Sequence, residues 1–89
     1  MKTIERTCEA ITDRASLHTL LAEGLSLPEW YGRNLDALHD CLTDIPEVTY
    51  VRLLNWEAVE AALGSYGKAA RRVMEQADLD NPNIHIECA

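Results

Sequence analysis

Positive charge is what this chain has least of. Lysine and arginine total 8 in 89 residues, against 15 for aspartate and glutamate, giving a formal net charge of −7. A nucleic-acid-binding surface needs a basic footprint, and so does a surface that docks on anionic lipid, so the balance argues against both partners. The surplus of carboxylates suits a basic partner instead, with fast and salt-sensitive association. Long apolar runs are also missing. None approaches the ~20 residues that span a bilayer, and charges interrupt the N-terminal MKTIERTCEA within a few positions, so neither a membrane helix nor a secretory signal is expected. The three cysteines (Cys8, Cys41, Cys88) form neither an even disulfide framework nor a metal-ligand spacing. A reduced, cytoplasmic protein without a cofactor is the simplest expectation. There is no glycine-rich phosphate loop, nucleophile elbow or cysteine–histidine pair at useful spacing.

What remains is a regular alternation of elements in a chain long enough for one domain, residues 1–89. Lys2 to Cys8 has the β-branched content of a strand. Thr12 or Asp13 can cap a helix carrying Leu17, Leu20, Leu21 and Leu25 at helical spacing, weakened in its last turn by Gly24. A loop follows from Ser26 to Gly32, and Asn34 can cap a second helix that Pro46 closes off. Val48 to Leu54 (VTYVRLL) reads as the strongest strand, and Asn55 as the cap of a short helix from Trp56 to Leu63 stopped by Gly64. Tyr66, Ala69, Ala70, Val73, Met74 and Ala77 then make the clearest helical stripe, broken by Asn81-Pro82-Asn83 before a last strand from Ile84 to Cys88. Strands always separated by helices favour parallel pairing with right-handed crossovers. The expected fold is α/β, a small three-stranded parallel β-sheet with about four helices packed on it.

The segment from Leu27 to Thr43, LPEWYGRNLDALHDCLT, concentrates the chemistry. At about 100° per residue, Leu35, Leu38, Cys41 and Leu42 share one helical face, while Asp36, His39, Asp40 and Thr43 share the other. The first face explains how the helix sits in a core. The second lies beside an aromatic loop. Of Trp30 and Tyr31, one is expected to cap the core and the other to present a rigid amphipathic surface. Tyr50, Trp56 and Tyr66 read as core residues. Within the segment and its flank, Glu29, Asp36, Asp40, Asp44 and Glu47 are set against a single Arg33. A charged helical face is usually no more than solvated surface, and its place next to exposed aromatics is what points to an interface.

His39-Asp40 also forms the dipeptide that metal phosphohydrolases use. A metal needs three or four convergent ligands, however, and the remaining histidines, His18 and His85, fall in a different helix and a terminal strand. No catalytic or metal-binding residues are therefore expected.

The run LPEWYGRNLDALHDCLT is similar to the signature segment of the barstar family, intracellular inhibitors of secreted bacterial ribonucleases, and a weaker likeness extends over the chain. The resemblance implies a three-stranded parallel sheet with helices. It also implies inhibition of a small basic ribonuclease in a 1:1 complex, with an aspartate standing in for a substrate phosphate. Carried over by position, that aspartate is Asp40, with Asp36 as a second carboxylate and Trp30 in place of an interfacial tyrosine. Gly32, Asn34, Thr43 and Asp44 would lie at the rim or support the loop, and the binding segment would run from Glu29 to Asp44. The chain departs from the family at His39, where tryptophan is usual, at Asp44 (glycine), at Ile45 (aromatic) and at Gln76 (glutamate). An interaction module for a basic partner other than a nuclease is the alternative, and a small metal-dependent hydrolase using His39 and Asp40 is a remoter one. Flanked in sequence by Asp36 and Asp40, His39 is expected to weaken binding to a basic partner below about pH 6 by gaining charge.

Overall fold

The computed structural model describes residues 1–89. Lys2–Thr7 (β1), Thr49–Leu54 (β2) and Ile84–Cys88 (β3) form one parallel sheet in the order β1-β2-β3. Ile4 lies opposite Val51, which lies opposite Ile86. Parallel neighbours cannot be joined by a tight hairpin, so each connection crosses over through helices. Arg14–Leu25 (α1) and Leu35–Thr43 (α2) form the first crossover, and Trp56–Leu63 (α3) and Ser65–Asp80 (α4) the second. This is the α/β architecture expected from the alternation of elements. No helix is long and apolar enough to cross a membrane.

One face of the sheet carries the core. Ile4, Val51, Leu53 and Ile84 point inward from the strands and meet Leu17, Leu21, Leu38, Leu42, Met74 and Ala77 from the helices. The other face stays open. Arg52 bridges Glu5 at 3.6 Å and Glu87 at 3.3 Å across all three strands. Tyr50, expected in the core, sits on this open face and is 44% exposed. The cause is the period of the strand: successive β2 side chains alternate, so Tyr50 falls on the side of Arg52 and stacks on His85 with ring centroids 4.8 Å apart. Trp56 is buried as expected.

Helix ends follow the sequence with one exception. Asp13, not Thr12, caps α1: its carboxylate accepts the Ser16 N–H at 2.8 Å and the Ser16 hydroxyl accepts the Asp13 N–H, a reciprocal capping box. Ser26 ends α1 in the left-handed region (φ 53°), and Gly64 (φ +58°) divides α3 from α4. Asn55 does not cap α3 through its side chain. It adopts φ 58°, and its amide donates to Thr7 Oγ1 at 3.1 Å and Glu9 Oε1 at 2.7 Å instead, tying α3 to the end of β1. Asn81 is more than a helix stop. It is buried, and its amide donates to the carbonyls of Leu42 at 2.9 Å and Ile45 at 3.2 Å, joining the ends of α4 and α2.

Cys8 and Cys88 flank β2 on opposite sides, because β1 and β3 both pair with it. Two strand spacings put them roughly 9–10 Å apart, beyond disulfide reach. All three cysteines are free.

Candidate partner-binding site

The site begins with a helix cap. Asn34 is extended (φ −140°), and its side-chain oxygen accepts the Ala37 N–H at 2.8 Å while its amide donates to the Gly32 carbonyl at 3.2 Å. Asp36 in the first turn complements the helix dipole. Space at Gly32 is tight: a Cβ there would stand 3.1 Å from Asn34 Nδ2 and 3.3 Å from the Ala37 Cβ, so the capping side chain would have to shift by a few tenths of an ångström. From this start α2 buries Leu38, Cys41 and Leu42, half-buries Leu35, and leaves Asp36 and Asp40 exposed. The two faces read from helical spacing are thus present, apart from His39.

His39 is half-buried against α4 rather than free on the acidic face. Its Nε2 lies 2.9 Å from Asp80 Oδ2, and its Nδ1 lies 3.9 Å from Asp40 Oδ1. Of the flanking Asp36 and Asp40, only Asp40 forms a contact with the ring, and the packing of α2 on α4 adds the nearer Asp80, which is distant in sequence. Asp80 also accepts from Gln76 Nε2 at 3.0 Å, and the hydrogen bonds from His39 and Gln76 hold its carboxyl below the ordinary value of 3.8. Gln76 therefore stands beside α2 with its amide already engaged. The Thr43 hydroxyl turns back to the carbonyls of His39 and Asp40, both at 3.0 Å.

Of the two loop aromatics, Tyr31 is the core residue (6% exposed) and Trp30 the outward one (72% exposed). Tyr31 is anchored through its hydroxyl, 2.5 Å from Nδ1 of the buried His18, whose Nε2 lies 2.7 Å from the Tyr66 hydroxyl. A neutral imidazole donates from one nitrogen and accepts at the other, so it serves both tyrosines. Burial, and secondarily the Arg33 charge, pushes His18 below its ordinary 6.5. Burial is also the main cause that pushes Tyr31 up to about 12. The Arg14 guanidinium covers the Tyr66 ring at 4.1 Å from its centroid. Arg33 adopts φ 53° and donates to the Ala15 carbonyl and the Thr19 hydroxyl, so the one cation of this segment is turned onto α1.

The candidate residues divide into three groups. Asp36, His39, Asp40 and Gln76 share an open hollow between α2 and α4, floored by Leu35 and Val73 and shared with Arg72. Trp30, Asp44 and Ile45 line a separate cleft. Gly32, Asn34 and Thr43 shape the loop and helix, while Glu29 lies in a shallow site with Tyr31 and Arg33. Asp36 enters no salt bridge, and Asp40, whose side chain is 78% exposed, has only the 3.9 Å contact with His39. No group of three His, Cys, Asp or Glu side chains is arranged to hold a metal ion. Spacing in sequence did not reveal His18, Tyr66, Arg33, Asp80 and Asn81, because their contacts with the site are long-range. The available signal was a histidine set beside Leu17 on an apolar helical face.

Comparison with known proteins gives a consistent result. The model of the family described as "Barstar (barnase inhibitor)" matches residues 1–88. A Bacillus subtilis (strain 168) protein described as "Putative ribonuclease inhibitor YrdF" is 47% identical over 64 residues, covering 68% of this chain and 68% of that protein.

Proposed function

This chain belongs to the barstar family, and from that membership we propose that it is a ribonuclease inhibitor, acting through the surface formed by the loop and helix from Glu29 to Asp44. The observation that carries the reading is the state of Asp40 and Asp36. Both are exposed on a helix tied down at its two ends; Asp36 enters no salt bridge, and Asp40 has only the 3.9 Å contact with His39, although Arg72 lines the same hollow. A carboxylate in that position forms charge-assisted, bidentate hydrogen bonds with guanidinium groups. A small basic ribonuclease collects such groups where it binds the phosphate of its substrate, and Asp40 occupies that phosphate's place. Asp36 adds a second charge, and Trp30 supplies rigid apolar area at the edge of the contact. The inhibitor performs no chemistry; it fills the site one-to-one and keeps RNA out.

Rigidity contributes to affinity because little ordering entropy is left for binding to remove. The Asn34 cap, the Tyr31–His18–Tyr66 hydrogen bonds and the Asn81 bonds to the end of α2 hold the surface before a partner arrives.

The test is titration into a panel of guanyl-specific microbial ribonucleases, with Asp40→Ala and Asp36→Asn alongside. Stoichiometric inhibition is expected from the wild type. Asp40→Ala removes hydrogen bonds made to charged groups and should weaken binding by about 2–3 kcal/mol, about 30- to 150-fold in Kd. Equal inhibition by wild type and Asp40→Ala would move the central contact elsewhere, and binding only to a basic protein that is not a nuclease would favour an interaction module with a different partner.

A further inference from the structure

Between the segment that leaves α1 and the turn that leaves α2 lies a cleft of 380 Å³. Its apolar lining comes from Leu25, Leu27 and Trp30 and from Ile45 and Pro46, with Ser26 and Thr49 adding polar groups. Charge sits on its lining as Asp44 and Glu47, both exposed, against the single cation Lys2, and none of the three forms a salt bridge.

The cleft is separate from the hollow but meets the end of the acidic helix at Asp44. Asp36, Asp40 and Asp44 follow one another at i, i+4 and i+8, so they form one ridge of carboxylates running from the α2–α4 hollow to the cleft. A partner seated on Asp40 therefore stands one helical turn from Asp44, on the lining of the cleft. The end of the ridge is electrostatically mismatched. Asp40 and Asp44 lie at the C-terminal end of α2, where the dipole favours cations, and the last turn contains no basic residue. An external cation placed there is attracted both by the carboxylates and by the carbonyl end of the helix.

The walls decide what form that cation takes. A purely apolar group entering the cleft would strip water from Asp44 and Glu47 without replacing its hydrogen bonds. An anion would be repelled. A long basic side chain meets both demands, with its aliphatic stem along Leu27 and Ile45, its charged head at the carboxylates, and the exposed Trp30 indole offering a π face to the cation. We propose that this cleft receives an arginine or lysine side chain of the target ribonuclease, separate from the groups that Asp40 engages, and so helps select which ribonuclease is bound. The proposal rests on the ribonuclease reading above.

Two measurements test it. In the first, the double variant Asp44→Asn/Glu47→Gln, which changes charge but not shape, is titrated into a ribonuclease that the wild type inhibits. An increase in Kd of about fivefold, with a flatter salt dependence, is expected. In the second, N-acetyl-arginine amide is added to isotope-labelled protein, with N-acetyl-norleucine amide as the uncharged control. The arginine compound should shift the amides of Leu27 and Ile45 and the Trp30 indole N–H, and those shifts should vanish in the double variant.

An unchanged Kd for the double variant, while Asp40→Ala weakens binding, would overturn the cleft proposal and leave the inhibitor reading standing. Equal shifts from the norleucine compound would overturn it too, by showing an apolar site indifferent to charge. Failure to inhibit any ribonuclease would remove both, and the arginine titration would then show only whether the cleft recognises a cation.

Discussion

His18 Nδ1 and the Tyr31 hydroxyl stand 2.5 Å apart inside the protein, one residue along the chain from the most exposed aromatic of the candidate site. The folded state holds His18 below its ordinary 6.5, so it favours the neutral ring, while the unfolded chain keeps the ordinary value. Stability from this group is therefore complete above pH 6.5 and is lost as pH falls below it toward the lowered folded value. The urea midpoint near pH 7.5 should exceed that near pH 5.5, and His18→Gln should flatten the difference. A slope identical in both proteins would mean that His18 is not the titrating group. The carboxyls of Asp13 and Asp80 act in a separate window: each is held below 3.8, so their contribution disappears only in stronger acid.

Removing the Asn81 amide should loosen α2 without touching its surface. Asn81→Ala leaves the Leu42 and Ile45 carbonyls without these donors, at a cost of about 2–3 kcal/mol measured by urea denaturation. Asn81→Asp keeps the size but cannot donate, and should behave in the same direction. A stable Asn81→Asp protein would show that the two hydrogen bonds matter little.

The start of α2 should be sensitive to its cap. Asn34→Ala is expected to cost about 1 kcal/mol and to speed hydrogen exchange at Ala37 and its neighbours. Gly32→Val should produce the same exchange pattern by a different route, crowding Asn34 from behind. Unchanged exchange in both variants would separate the cap from the order of the helix.

The thiols should be slow and unpaired. Burial raises the pKa of all three cysteines, that of Cys88 to about 11, so little thiolate exists near neutrality. Native protein should react sluggishly with a thiol-titrating disulfide reagent and yield three free thiols once denatured. A monomer that gains an internal Cys8–Cys88 bridge on mild oxidation would contradict the separation of the two strands.

Most of the fold was legible because it depends on local signals. The apolar periods of α1, α2 and α4 and the breaks at Pro28, Gly64 and Pro82 are written in short stretches, and crossover connections dictate parallel pairing. The faces of α2 were legible for the same reason: Leu38, Cys41 and Leu42 against Asp36 and Asp40 needs only helical spacing. The misreadings involve residues whose partners come from elsewhere. Asn55 has the composition of a cap, but a left-handed backbone and acceptors on Thr7 and Glu9 draw it away. His39 is set by Asp80 across the packed helices. Tyr50 was placed in the core on hydrophobicity, whereas alternation along β2, with only one face of the sheet covered, puts it outside.

The order of elements has one more consequence. Every residue proposed to touch a partner except Gln76 lies in the first crossover, between β1 and β2, while the second crossover braces it through Tyr66, Asp80 and Asn81. Partner choice is thus encoded in the first half of the chain, and an essential part of its mechanical support in the second. Random variation confined to the exposed positions Glu29, Trp30, Asp36, Asp40, Asp44 and Glu47, with the buried Tyr31, Leu38, Cys41 and Leu42 and those three supports kept, should yield libraries in which specificity changes far more often than folding is lost.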